Sequence, residues 1–248
     1  SRGLGDVYKR QVMRLAALLL ILLSVFLPAC AERNAGSSEP SEYKVRVDSL
    51  PEEDENTRFD TLTDRDFRIV AEELGVEVAA IKAVVLIEAG EAMKGFLAPG
   101  VPVVNFQPSM FGRYCRKAAN KAGCKDARVP EGLSGYGLSE WTQLVKARRK
   151  NCDAANMSTF WGMFQIGGFG YRQCGCETVQ EMVDLMCRSE LEQLELFATF
   201  ISNSGMLPAL RAKDWATFAR KYNGASYARR GYHTRMAKAY AKYKKEER

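Results

Sequence analysis

The sequence predicts a mainly α domain with a small β-hairpin element. Three observations carry that expectation. Two adjoining helical patterns run between Thr63 and Ala89, a series of amphipathic stretches parted by glycine, asparagine and serine follows Ser139, and a single β-like run, "VPVVNF", sits among proline and glycine. In "LTDRDFRIVAEELG", Thr63 is placed to cap a helix with acidic residues in its first turn. Phe67, Val70, Ala71 and Leu74 form one face, and Gly75 ends it. A second helix, from about Val76 to Ala89, is apolar on nearly every side at Val78, Ala79, Ile81, Val84, Val85, Leu86 and Ile87, as befits a helix inside a core. "FLAPGVPVVNFQPSMFGRY" reads as a loop or brief hairpin, and residues 114–135 as a short helix and loops. "SEWTQLVKARRKN" reads as a helix, "CETVQEMVDLMCRSELEQLELFATFISNS" as two divided near Arg188 and Ser189, and "LPALRAKDWATFARKYNG" as two more ending at Asn223-Gly224. "TRMAKAYAKYKKEER" is an amphipathic terminal helix.

Not all of the 248 residues belong to that domain. Residues 1–12, opening "SRGLGDVYKRQ", look like an in-frame translation of a sequencing adapter and are set apart as a non-native scar. Residues 13–30 read as an export signal: Met13 and Arg14, then the apolar run Leu15–Leu27, then Leu27-Pro28-Ala29-Cys30. The run falls short of the roughly 18 apolar residues a membrane span needs. Its last four residues resemble a bacterial lipobox, with Pro28 a departure. That likeness implies an exported lipoprotein, anchored to a membrane through lipid on Cys30 and facing the periplasm or cell wall. Cleavage nearby without lipid, or an uncleaved anchor, are the alternatives. Residues 31–60 form a flexible acidic linker with four basic and nine acidic side chains, and residues 61–248 make the folded domain.

Setting Cys30 aside leaves Cys115, Cys124, Cys152, Cys174, Cys176 and Cys187. An even count in an exported chain predicts disulfides, with the pairing open. Cys174-Gly175-Cys176 lacks the zinc spacing and His233 is the one histidine, so no metal or other cofactor is expected. The net charge of +6 puts a basic domain on an acidic tether, which favours an anionic polymer as partner: nucleic acid, lipid headgroups or cell wall. No motif supports nucleic acid.

Three stretches carry chemistry. Glu88 ends an apolar helix just before Gly90, where desolvation and the helix dipole both disfavour its charge and raise its pKa. Such a carboxyl suits the protonation of a glycosidic leaving oxygen; the glutamic acid of lysozyme is the standard example of that tuning. A rim position, exposed or paired with an arginine, is the structural alternative. "STFWGMFQIGGFGY" packs Phe160, Trp161, Phe164, Phe169 and Tyr171 among glycines around Gln165. It suits either a sugar-binding wall or a tight turn packed on the core. "ARKYNGASYARRGYH" offers Tyr222, Asn223, Tyr227 and Tyr232 as a helix cap or a polar site wall.

In order, these blocks resemble the N-acetylmuramidase family of phage endolysins and bacterial cell-wall hydrolases. "LTDRDFRIVAEELGVEVAAIKAVVLIEAG", "GFLAPGVPVVNF", "FWGMFQIGGFGY", "LRAKDWATFARKYNG" and "YARRGY" carry the likeness, from about Leu62 to Tyr243. The resemblance implies a lysozyme-like helical domain acting, as a monomer, on peptidoglycan glycan strands. It implies Glu88 as catalytic acid, a glycan groove lined by Phe106, Gln107, Trp161, Phe164, Gln165 and Tyr227, and Tyr222 and Asn223 closing it. Relatives commonly have Phe-Glu followed closely by His where this chain has Phe106-Gln107-Pro108-Ser109, and an acid where it has His233. The departure at Gln107 bears on rate or mechanism. A second carboxylate has one candidate, Glu91, which equally suits a solvated loop. Three outcomes follow: hydrolysis of the bond between N-acetylmuramic acid and N-acetylglucosamine, a lytic transglycosylase giving 1,6-anhydro products, or an inactive peptidoglycan-binding lipoprotein.

Overall fold

The computed structural model describes residues 62–90, 94–117 and 122–247. The signal with Cys30, the acidic linker and Glu91 lie outside the described residues.

Helix α1 (Asp64–Leu74) is held by a capping box in which Thr63 Oγ1 accepts from Asp66 N and Asp66 Oδ2 accepts from Thr63 N at 2.7 Å. Gly75, at φ 59°, ends it as expected. Helix α2 (Val78–Ala89) begins two residues after the expected start, because Glu77 is extended and serves as its N-cap. Its Ala79, Ala80, Ile81, Val84 and Val85 are buried. Gly90, at φ 76°, closes it.

The expected hairpin is β1 (Phe96–Ala98) with β2 (Val101–Pro102). A second, three-stranded antiparallel sheet joins β3 (Val104–Phe106), β4 (Thr159–Trp161) and β5 (Ile166–Gly167), pairing segments far apart in sequence. Between them come α3 (Pro108–Lys117), α4 (Gly135–Arg148) and α5 (Cys152–Met157). Helix α3 replaces part of the predicted loop: Pro108 stands in its first turn, where the missing N–H costs nothing, so the proline starts a helix instead of marking a loop. Short α5 escapes a periodic reading and is capped by Asn151, whose Oδ1 accepts from Ala154 N at 2.8 Å. Glu140 and Trp141 of α4 satisfy backbone groups beside the sheet: Glu140 Oε2 accepts from Phe106 N at 2.8 Å, and Trp141 Nε1 donates to Pro102 O at 3.1 Å.

Helices α6 (Val179–Met186) and α7 (Glu190–Asn203) divide where predicted, at the Ser189 cap. Then follow α8 (Leu207–Arg211), α9 (Trp215–Asn223), a short 3-10 turn (Ala225–Tyr227) and α10 (Tyr232–Glu246). Helix α10 lies along α2 and also packs on α9. Leu194, Phe197 and Ile201 of α7, with Trp161, Phe218 and Met236, are fully buried in the core. Cys124 and Cys152 form a disulfide, tying the loop before α4 to the start of α5. The wider cysteine expectation is corrected: Cys115, Cys174 and Cys187 are thiols, and burial keeps the thiols of Cys174 and Cys187 protonated. No helix among the described residues is long and apolar enough to cross a membrane.

Candidate active site

Glu88 stands in the last turn of α2, and Asn223, the last residue of α9, donates from Nδ2 to its Oε1 at 3.1 Å. Glu88 keeps some surface open to solvent, yet protein surrounds it closely enough for desolvation to dominate its titration. A group at the bottom of a cleft can combine the two. Burial pushes the carboxyl up to about 7, against the opposing pull of the Asn223 hydrogen bond and the positive charge of Arg235. At neutral pH a large share of Glu88 therefore carries its proton.

Two tyrosines border it. Burial, and then the charge of Glu88, raise the phenols of Tyr222 and Tyr232. Tyr222 donates to Phe164 O at 2.9 Å, and its ring stacks on Phe218 and meets Phe197 edge-on. Tyr232 opens α10, and Arg235, one turn on, lies over its ring at 5.7 Å.

The hydrogen bond to Phe164 ties this wall to the turn that carries Gln165. Gln165 adopts φ 50°, one of two non-glycine residues with positive φ among the described residues, and its Nε2 donates to Gly162 O at 2.8 Å. Backbone held in this region by a non-glycine residue is a cost that the surroundings must impose. Gln193, fully buried on α7, imposes it: Oε1 accepts from Met163 N at 2.8 Å while Nε2 donates to Met186 O and Gly95 O. Gly162, at φ 69°, leaves room for that amide, since a Cβ there would stand 2.7 Å from Gln193 Oε1. Glu190 Oε1 accepts from Gly95 N at 2.8 Å. The strand that follows Glu88 and the turn before Gln165 are thus fastened to one helix.

Glu88, Tyr222, Asn223 and the Gln165 turn are brought together. Three other predicted groove residues are corrected: the side chains of Phe106, Trp161 and Phe164 point into the core, with Trp161 0% and Phe164 2% exposed. Alternation along a strand puts Val104, Phe106, Thr159, Trp161 and Ile166 on its inner face. Trp161 Nε1 donates to Asn156 O and Phe164 stacks on Phe197 at 4.3 Å, so both rings serve packing. Gln107 lies at the far end of the sheet from Gln165, hydrogen-bonded to Asn105. Tyr227 sits in the 3-10 turn, edge-on to His233 at 5.4 Å. Sequence reasoning missed Arg235 and Gln193. Arg235 had a faint signal, one helical turn after Tyr232; Gln193 had none, because only tertiary packing gives its amide three partners. Among the described residues no group of three or more His, Cys, Asp or Glu side chains is arranged to hold a metal.

Residues 77–244 match the family model of N-acetylmuramidases. Among solved structures, the chain is similar to a Burkholderia AP3 phage endolysin at 36% identity, over 76% of this chain and 72% of that one, with a TM-score of 0.64. No curated protein matches it.

Proposed function

The chain belongs to the N-acetylmuramidase family, and from that premise we propose that it hydrolyses the β-1,4 bond between N-acetylmuramic acid and N-acetylglucosamine in peptidoglycan, with Glu88 as general acid. One observation carries the role of Glu88: a desolvated carboxyl at the end of an apolar helix, protonated near neutral pH and oriented by Asn223. In the reaction Glu88 gives its proton to the glycosidic oxygen as the C1–O bond breaks. The departing sugar leaves as an alcohol, the oxygen of a water bonds to C1 of the other ring, and the proton that water loses passes to a base, the second carboxylate where one serves. Asn223 favours the carboxylate that remains, so its hydrogen bond strengthens as the proton leaves. Tyr222 and the Gln165 turn form the neighbouring wall.

Hydrolysis uses a second group to activate water or stabilise the cation, and Glu91 is the acid proposed for it. A second reading is favoured by the amide at Gln107. Without a second carboxylate, the 6-hydroxyl of the muramic ring can attack C1 as its proton passes to the Glu88 carboxylate, giving a 1,6-anhydro end and regenerating the acid, as in a lytic transglycosylase. The export signal proposed at residues 13–30 agrees with the cell wall as the working place, and the Cys124–Cys152 bridge suits an oxidising compartment. We further propose lipidation at Cys30, testable by labelled fatty-acid incorporation that a Cys30→Ser variant abolishes. For the reaction itself, the full chain is incubated with purified peptidoglycan. Wild type should release soluble muropeptides, and Glu88→Gln should be slower by about three orders of magnitude. Binding without release by wild type would instead favour an inactive peptidoglycan-binding protein.

A further inference from the structure

From Trp215 to Lys245 the chain carries nine basic side chains and no acidic one, more positive charge than the net +6 of the whole sequence. The segment comprises α9, the 3-10 turn and α10, and so supplies Tyr222, Asn223 and Tyr232 to the site of Glu88. On α10 the charge is ordered. Tyr232, Met236 and Ala239 face the core, while Arg235, Lys238, Lys242 and Lys245, all exposed, recur at the three- and four-residue spacing that keeps side chains on one flank of a helix. The opposite flank is occupied by packing and pairing: His233 meets Tyr227, Tyr240 meets Trp215, and Lys244 stands 2.8 Å from Glu77.

Little within the protein neutralises this row. Among the described residues its one ion pair is Lys242 with Glu246, at 4.0 Å and between side chains 64% and 57% exposed, a contact worth little in water. Helix stability does not explain the row either, because Arg235 lies in the first turn of α10, where the helix dipole disfavours a cation. That end of the row is at the candidate site, since the charge of Arg235 reaches Glu88. Tyr240 and Lys244 meet Glu77 at the other end of α2, so α10 runs antiparallel to it and the row leads away from Glu88 over on the order of 15 Å. Sugar hydroxyls and acetamido groups are neutral and give such a row no partner. Peptidoglycan differs from a plain glycan in the peptide on its muramic acid, which begins beside the cleaved bond and carries several carboxylates. About four extended residues span on the order of 13 Å, close to the length of the row.

We propose that Arg235, Lys238, Lys242 and Lys245 dock the carboxylates of the peptide stem on the muramic acid at the cleaved bond, making the protein selective for peptide-bearing glycan. The proposal rests on the glycan-cleaving reading of Glu88. Each exposed pair contributes little, and the effect is their sum: the row draws in the anionic stem and fixes the direction of the strand, while proton transfer stays with Glu88. Salt screens an attraction of this kind.

The test compares kcat/KM on purified peptidoglycan and on the same material with its carboxyls converted to amides. It uses the full chain and a triple variant, Lys238→Gln, Lys242→Gln and Lys245→Gln, with circular dichroism to check the fold; Arg235 is left in place because it also acts on Glu88. Wild type is expected to favour the native material by about tenfold at low salt and to lose most of that margin in about 0.5 M salt. The triple variant should match wild type on the amidated material and lose most of the preference for the native one. No preference in wild type, or an equal loss by the variant on both materials, would overturn the proposal. A variant that keeps the full preference would overturn it too, and loss of its sedimentation with phosphatidylglycerol vesicles would then assign the row to an anionic membrane. Failure of the Glu88 reading is separable: if wild type cleaves neither material, stronger sedimentation of Glu88→Gln with native than with amidated peptidoglycan, removed by the triple change, keeps the stem site without the enzyme.

Discussion

At Glu88, the proposed general acid, a single carboxyl would couple catalysis to stability. Its native pKa of about 7 lies above the ordinary 4.5, so the folded protein holds the proton more tightly than the unfolded chain. Stability is therefore greatest below pH 4.5 with respect to this group, falls as pH rises, and is lowest above 7. The cost of ionised Glu88 is on the order of 2–3 kcal/mol, allowing for its partial exposure. Glu88→Gln should accordingly raise Tm at pH 8 and change it little at pH 4, as thermal denaturation at the two pH values would show. Arg235 favours the ionised form, so Arg235→Ala should raise the Glu88 pKa further. Because the proposed general acid acts protonated, the alkaline limb of the pH–rate profile should move to higher pH. Glu88 was legible in sequence because a carboxylate interrupts an apolar run just before a glycine. Arg235 was not, since it comes from α10 and meets Glu88 only because that helix packs along α2.

That packing is secured at the other end of α2 by Glu77. Its carboxylate accepts from Lys213 at 2.6 Å and from Tyr240 at 2.8 Å, and Lys244 stands at 2.8 Å. The hydrogen bonds from Lys213, Lys244 and Tyr240 hold the carboxyl down to about 2. A depressed carboxyl stabilises above its unfolded pKa near 4.5 and loses that contribution as pH falls toward 2. Glu77→Gln should therefore cost about 1 kcal/mol at pH 7, measured by denaturant titration, and the difference should shrink in 1 M salt because the cluster is partly exposed. The helices of this region were readable from period and caps. The sheet was only half readable: composition marked "STFWGMFQIGGFGY" as aromatic and glycine-rich, but the face each ring occupies depends on pairing with β3, some 55 residues earlier. One register puts Trp161 in the core and Phe160 outside.

For the molecule as a whole, a buried α7 fastens the strand after Glu88 to the Gln165 turn through Gln193, while the disulfide braces a separate region. The bridge spans a sequence separation of 28 residues. In the chain-entropy model a loop of that size is worth about 3.5 kcal/mol. Paired Cys124→Ser and Cys152→Ser changes should lower Tm by roughly 10 °C, while activity at low temperature persists because neither cysteine adjoins Glu88 or its partners. The cysteine count announced disulfides but not which residues pair, since pairing depends on the loop returning to α5.

The central claim, that Glu88 directs hydrolysis of a glycosidic bond, is tested most directly by digesting purified peptidoglycan in water enriched in heavy oxygen and reading the new glycan ends by mass spectrometry. The account predicts reducing N-acetylmuramic acid ends carrying one heavy oxygen with wild type and none formed with Glu88→Gln. Ends lighter by one water and free of the label, or equal products from both proteins, would contradict it.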